Sequence, residues 1–203
     1  MQLHIVHPYV FKLLEDTLIM GPIKQFQKRD TKLNRLVTTA LDSKVSVLHH
    51  KYSTGDHIES TLHYVGLSFD PLFDFLEDPR LETITTLPYG TPLPPERPET
   101  IPPETWTGMG DHWSSHAHVK EKIGAHSPLL FVGGTLDACL GGFLQYAHDF
   151  YPQEDRKLAY IPELCVIHDH EFWLTKMKPE LDQRGISAMG YREALALVER
   201  QKK

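Results

Sequence analysis

Cysteine is scarce in this chain: 203 residues carry only Cys139 and Cys165. Two thiols in apolar, strand-like surroundings do not make a disulfide framework, and they are expected to be reduced thiols of a cytoplasmic protein. Basic charge is also in short supply. With 21 Lys+Arg against 27 Asp+Glu the net charge is −6, and no basic stripe offers a polyanion a footprint, so nucleic acid is not an expected partner. No run approaches the roughly 18 apolar residues that span a bilayer. The opening Met1-Gln-Leu-His-Ile-Val-His-Pro8 has neither the basic start nor the long apolar stretch of a signal peptide. Internal repeats are lacking too. What remains is ordinary globular material, 40% hydrophobic and 24% charged, long enough to bury a core without metal or disulfides.

Two residue types are abundant, with 13 His and 15 Pro. Seven of the prolines fall between Pro88 and Pro103, which excludes a regular helix or a central strand there. Residues 87–104 are therefore expected to be a long loop or lid within a single domain spanning 1–203.

Around that loop, short β-branched runs alternate with helical periodicity. Leu3–His7 reads as a strand stopped by Pro8. Lys32–Leu41 spaces Leu33, Leu36, Val37, Ala40 and Leu41 along one helical stripe. Lys44–Leu48 is the next strand, closing a β-α-β unit. Ser127–Val132 is hydrophobic enough for a central parallel strand, followed by a helix over Leu136–Phe150. Leu158–Ile161 is a strand ended by Pro162. A helix capped by Asp169 runs towards Gly185 with a break or a restart at Pro179. Ile186–Met189 is a short strand, and Tyr191–Arg200 a closing helix. The pattern predicts a three-layer α/β/α sandwich on a mostly parallel sheet.

In such sheets ligands sit at the carboxyl ends of strands. Phe131-Val-Gly-Gly-Thr-Leu-Asp-Ala-Cys-Leu140 puts a cysteine in the first turn of a helix behind a buried strand. Free N–H groups and the dipole there favour a thiolate and could hold an oxyanion. A buried structural cysteine fits the same pattern.

Gly133-Gly-Thr-Leu-Asp-Ala-Cys-Leu140 resembles the Gly-Val-x-Thr-Asp-x-Cys-Val turn of the isochorismatase-like cysteine hydrolases, which include nicotinamidases. The likeness runs in register through the following helix and the Leu158–Cys165 segment, and the opening β-α-β matches as well. It implies a nucleophilic Cys139 acting on a small amide or related substrate, with Asp137 in the catalytic turn. Gly133, Gly134, Thr135 and Ala138 would form the substrate-binding backbone, and Trp106 and Trp113 would wall the pocket. The turn around Ala138–Cys139 would be the oxyanion hole.

The family also carries an aspartate ending the first strand and a lysine ending the strand before the cysteine strand. Here the aspartate position falls at or near His7, which is expected to act as base in a Cys–His couple. The lysine is expected around Thr105–Asp111, which holds none. Nicotinamidase-like members hold a metal beyond the second strand. Lys51 and Ser53 stand where earlier ligands belong, but His49, His50, Asp56 and His57 could still gather zinc or iron; a solvated histidine-rich loop is the alternative. His112 and His116 share a helical face at i, i+4, a spacing that can chelate a metal. Three functions stay open: a cysteine hydrolase, a catalytically inactive module of the same fold used for binding or oligomerisation, and a metal-dependent hydrolase built on the histidines. The resemblance also implies a homo-oligomer.

Overall fold

A computed structural model describes residues 1–8, 23–52, 74–87, 90–152 and 155–202. Six strands lie parallel in one sheet: β1 (Gln2–Val6), β2 (Ser46–Tyr52), β3 (Glu82–Thr86), β4 (Leu129–Gly133), β5 (Leu158–Cys165) and β6 (Ser187–Ala188). Their order is β3-β2-β1-β4-β5-β6, so chain direction across the sheet reverses between β1 and β4. That junction is where a doubly wound sheet opens a crevice at its carboxyl edge. Val6 stands opposite His50 on one side and Gly133 on the other.

Two apolar clusters cover the two faces. On one, α1 (Ile23–Asp42) and α7 (Tyr191–Glu199) bury Leu33, Leu36, Val37, Ala40, Ala194 and Val198 against Leu3, Ile5, Leu130 and Val132. The stripe spacing of α1 required this placement, since only one face of that helix is apolar. The opposite face is packed by α3 (His116–Ile123), α4 (Cys139–Phe150) and α6 (Lys178–Gln183). There Phe143, Leu144, Val119, Ile123 and Leu181 meet Val6, Leu48, Ile84 and Phe131. The three-layer sandwich expected from the sequence is the fold observed.

Boundaries moved where tertiary contacts overrode local signals. β5 runs through Pro162 to Cys165, because the β4–β5 register shifts between Phe131 and Gly133 and leaves Pro162 without a ladder bond to supply. Pro179 marks a restart, as expected, in the first turn of the next helix. The chain passes from α5 (His170–Phe172) through a wide π turn, Trp173–Met177, into α6, which absorbs the missing i−4 bond. Asp169 caps α5, its Oδ1 accepting the Phe172 N–H at 2.9 Å. The proline-rich loop is shorter than expected, since Pro103 opens α2 (Pro103–His112) with proline in the first helical turn. Its described part covers the β3 edge: Ser114 bonds both ways with Thr85 (2.8 and 3.0 Å), and Leu93 N–H donates to Ser114 O at 3.0 Å. His112 ends α2 while His116 begins α3, so the expected shared helical face does not exist. Among the described residues, no helix is long and apolar enough to cross a membrane.

Candidate active site at the carboxyl ends of β1, β3 and β4

The turn between β4 and α4 is built by close backbone contact. Gly133 has φ +115, and a Cβ there would overlap the Val6 carbonyl, so only glycine permits this approach of β4 to β1. Gly134 N–H donates to Val6 O at 2.9 Å. Thr135 O then gathers the turn, accepting from Ala138 N–H at 3.1 Å and Leu140 N–H at 2.9 Å. Cys139 follows as the first residue of α4. Asp137 points away from the sulfur's hydrogen-bond set: its two oxygens accept the His168 and Asp169 N–H groups at 3.0 and 2.8 Å. It therefore clips the β4 turn to the β5 turn.

The Cys139 sulfur accepts hydrogen bonds from the N–H groups of Thr135 and Cys139 itself, which pull its pKa down, yet burial outweighs them and holds the thiol above its ordinary value. The expectation that the helix start alone would yield a thiolate is corrected here: desolvation is the larger effect. The Ala138 N–H is already engaged by Thr135 O at 3.1 Å.

His7 has φ +39, a left-handed backbone that breaks the strand alternation of Leu3 and Ile5. Its ring reaches Thr86, with Nε2 2.8 Å from Oγ1. Burial lowers the His7 pKa to about 3, with His49 adding to it, so the imidazole is neutral near pH 7. Thr86 ends β3, the strand preceding β4, whereas Thr105–Asp111 lies within α2. His7 and Thr86 thus form an uncharged pair at the carboxyl ends of β1 and β3. Sequence reasoning missed Thr86 because a threonine ending a β-branched strand carries no chemical signature. It missed Gly90 for a like reason. Gly90 has φ +79, and its α-carbon is pressed against the Cys139 carbonyl with no space for a Cβ, so the turn after β3 roofs the start of α4.

Of the four expected metal ligands, His49 and His50 do not converge. His49 and His50 are consecutive on β2 and face opposite sides of the sheet. His50 lies in the α4-side core, 2.9 Å from His4 and edge-on to Phe143. Asp56 and His57 lie outside the described residues, and among the described residues no group of three or more His, Cys, Asp or Glu gathers to hold a metal. Trp113 is half-buried just beyond α2; the Trp106 side chain lies outside the described residues.

No family model matches this sequence, and no curated protein matches it. Solved structures match by fold. Nicotinamidase from Bacillus subtilis superposes with a TM-score of 0.58 at 10% identity, over 92% of this chain and 98% of that one. The YcaC gene product of Escherichia coli, an octameric hydrolase of unknown specificity, gives 0.55 at 12% identity over 98% and 78%. A pyrazinamidase of Pyrococcus horikoshii, solved with zinc, gives 0.54 at 12% identity over 93% and 98%.

Proposed function

We infer that this chain, which has the fold of the isochorismatase-like hydrolases, is itself a cysteine hydrolase that cleaves the C–N bond of a small amide. The observation carrying this reading is the place of Cys139, the first residue of α4, directly behind the β4 turn at the carboxyl edge of the sheet. The N–H groups of a helix start suit an acyl-transfer oxyanion. In the proposed sequence Cys139 Sγ attacks the amide carbonyl carbon while its proton passes to His7. The carbonyl electron pair collects on oxygen against N–H groups of that helix start. Collapse breaks the C–N bond, and the nitrogen leaves with the proton returned by His7. Water, deprotonated by His7, then cleaves the thioester to release the acid. Thr86 is a positioning residue: a His7 Nε2–H donating to Thr86 Oγ1 leaves Nδ1 as the base.

The resting site resists this start. Burial holds the His7 pKa at about 3 and raises the Cys139 thiol above its ordinary value, so transfer of the thiol proton to the resting imidazole is strongly uphill. Proton transfer therefore has to accompany S–C bond formation. The same observation favours the second reading, an inactive module of this fold that binds a small molecule or another copy of itself. The metal-dependent reading finds no ligand cluster among the described residues, and no step is routed through a metal. Homo-oligomeric assembly and a cytoplasmic location belong to the proposal as well.

A panel of primary carboxamides, assayed for ammonia release against a Cys139→Ala control, tests the hydrolase. Activity should vanish in that control and fall by about 10²–10⁴-fold in His7→Ala. Ammonia release no greater than that of Cys139→Ala for every amide would overturn catalysis in favour of the inactive module.

A further inference from the structure

Among the described residues one arginine is buried. Arg29, on α1, is 5% exposed, and a guanidinium stays charged wherever it lies, so the fold must give it acceptors. Its Nε and Nη2 both reach Asp30 Oδ1, at 2.7 and 2.6 Å. Nη2 also donates to the Pro8 carbonyl at 3.0 Å, a buried bond that joins α1 to the chain leaving β1. Burial pushes the Cys165 thiol at the end of β5 up to about 12, with the Arg29 charge opposing it. The guanidinium thus lies at the carboxyl edge of the sheet.

The carbonyl it takes follows His7 directly. A residue before proline is pushed towards extended backbone, yet His7 holds φ +39. A non-glycine residue keeps that left-handed conformation only where its surroundings fix it. On the amino side the hold comes from β2, since His7 N–H donates to His50 O at 3.2 Å. On the carboxyl side it comes from Arg29. The pyrrolidine ring locks φ of Pro8, so a bond to its carbonyl is transmitted stiffly to the His7–Pro8 peptide. Between these two holds the His7 ring reaches Thr86 Oγ1 at 2.8 Å.

We propose that Arg29 is a positioning residue for the candidate active site: through the Pro8 carbonyl it holds the left-handed turn at His7 and so keeps the imidazole on Thr86. The inference rests on the reading of His7 as the base of a Cys139 hydrolase. It adds a residue from the far layer to that site, since α1 and α4 cover opposite faces of the sheet. Lysine does not substitute for it. An ammonium is a point charge without the planar fork that serves Asp30 and Pro8 together.

Two variants test this. Arg29→Lys keeps the charge and loses the fork, whereas Asp30→Asn weakens the ion pair and leaves the Pro8 bond in place, a control for lost stability. In the wild-type protein, nitrogen-correlated NMR should show His7 as a single tautomer, its Nε2 hydrogen protected by Thr86. Arg29→Lys should mix the tautomers and speed exchange of that hydrogen by about tenfold, the worth of one hydrogen bond. Asp30→Asn should leave both unchanged at a lower unfolding midpoint. Ammonia release by Arg29→Lys should fall by about 10–100-fold in kcat with KM little changed. A His7 ring unmoved by Arg29→Lys, or moved equally by Asp30→Asn, overturns the proposal. If Arg29→Lys does not fold, the wild-type protein decides: its Arg29 Nη2 hydrogens should exchange about tenfold slower than those of half-exposed Arg80, and equal rates overturn the proposal. A ring loosened by Arg29→Lys, in a protein whose wild type releases no ammonia, sustains the positioning role while overturning hydrolysis; ammonia release with an unmoved ring does the reverse.

Discussion

Lowering the pH from 7.5 to 5 should unfold much of this protein, and the cause is four imidazoles in its core. Burial lowers the His4 pKa to about 3 and that of His7 to about 3, His49 falls to about 4 with Lys51 adding to the burial effect, and His50 lies well below the ordinary value. In the unfolded chain each titrates near 6.5. Between those limits the unfolded state binds a proton that the native state refuses, so stability is intact above pH 6.5 and falls as pH drops towards 3–4. At pH 5 the loss is about 2 kcal/mol per histidine. His4, His7 and His49 together then remove about 6 kcal/mol, and His50 acts in the same direction, against a typical total of about 5–15. Urea unfolding followed by circular dichroism at pH 7.5, 6 and 5 measures it. Between pH 6 and 5 the slope should approach one proton per buried histidine, and His49→Leu should flatten it by one. A loss under about 2 kcal/mol at pH 5 would show that these rings take up protons within the folded chain, refuting the reasoning.

Other consequences are more local. Gly133→Ala places a Cβ on the Val6 carbonyl at the β1–β4 junction and should cost upwards of about 3 kcal/mol by urea midpoint, or prevent soluble expression. Gly90→Ala meets the Cys139 carbonyl and should lower stability by about 1–3 kcal/mol, with a slower reaction of Cys139 towards iodoacetamide. Asp137→Asn keeps its shape but weakens two charge-assisted bonds to the His168 and Asp169 N–H groups; a loss of about 1–2 kcal/mol is expected from thermal unfolding. Thr86→Val should lower amide hydrolysis and shift its pH profile, and should cost about 1–3 kcal/mol by urea midpoint, because the residue orients His7 through a buried hydrogen bond.

Periodicity and strand composition by themselves determined the layers. An apolar stripe on α1 and the uninterrupted hydrophobic run of β4 can be buried only in a sheet covered on both faces, and any compact arrangement of those segments satisfies that demand. The Gly133–Cys139 turn was legible for the same local reason, as glycines, a helix start and a cysteine within a few residues. Pairing across the sheet was not. His7 and Thr86 are 79 residues apart, and the left-handed backbone at His7, which breaks the strand alternation, is not written in its local sequence. Alternation did divide His49 from His50, but their chemistry depended on which helix covered each face. Burial decided the rest: it raised the Cys139 thiol that its helix position alone would lower, and it made neutral hydrogen-bonding groups of histidines that had suggested a metal. Desolvation is a property of the whole packed volume, so no single segment of sequence encodes it.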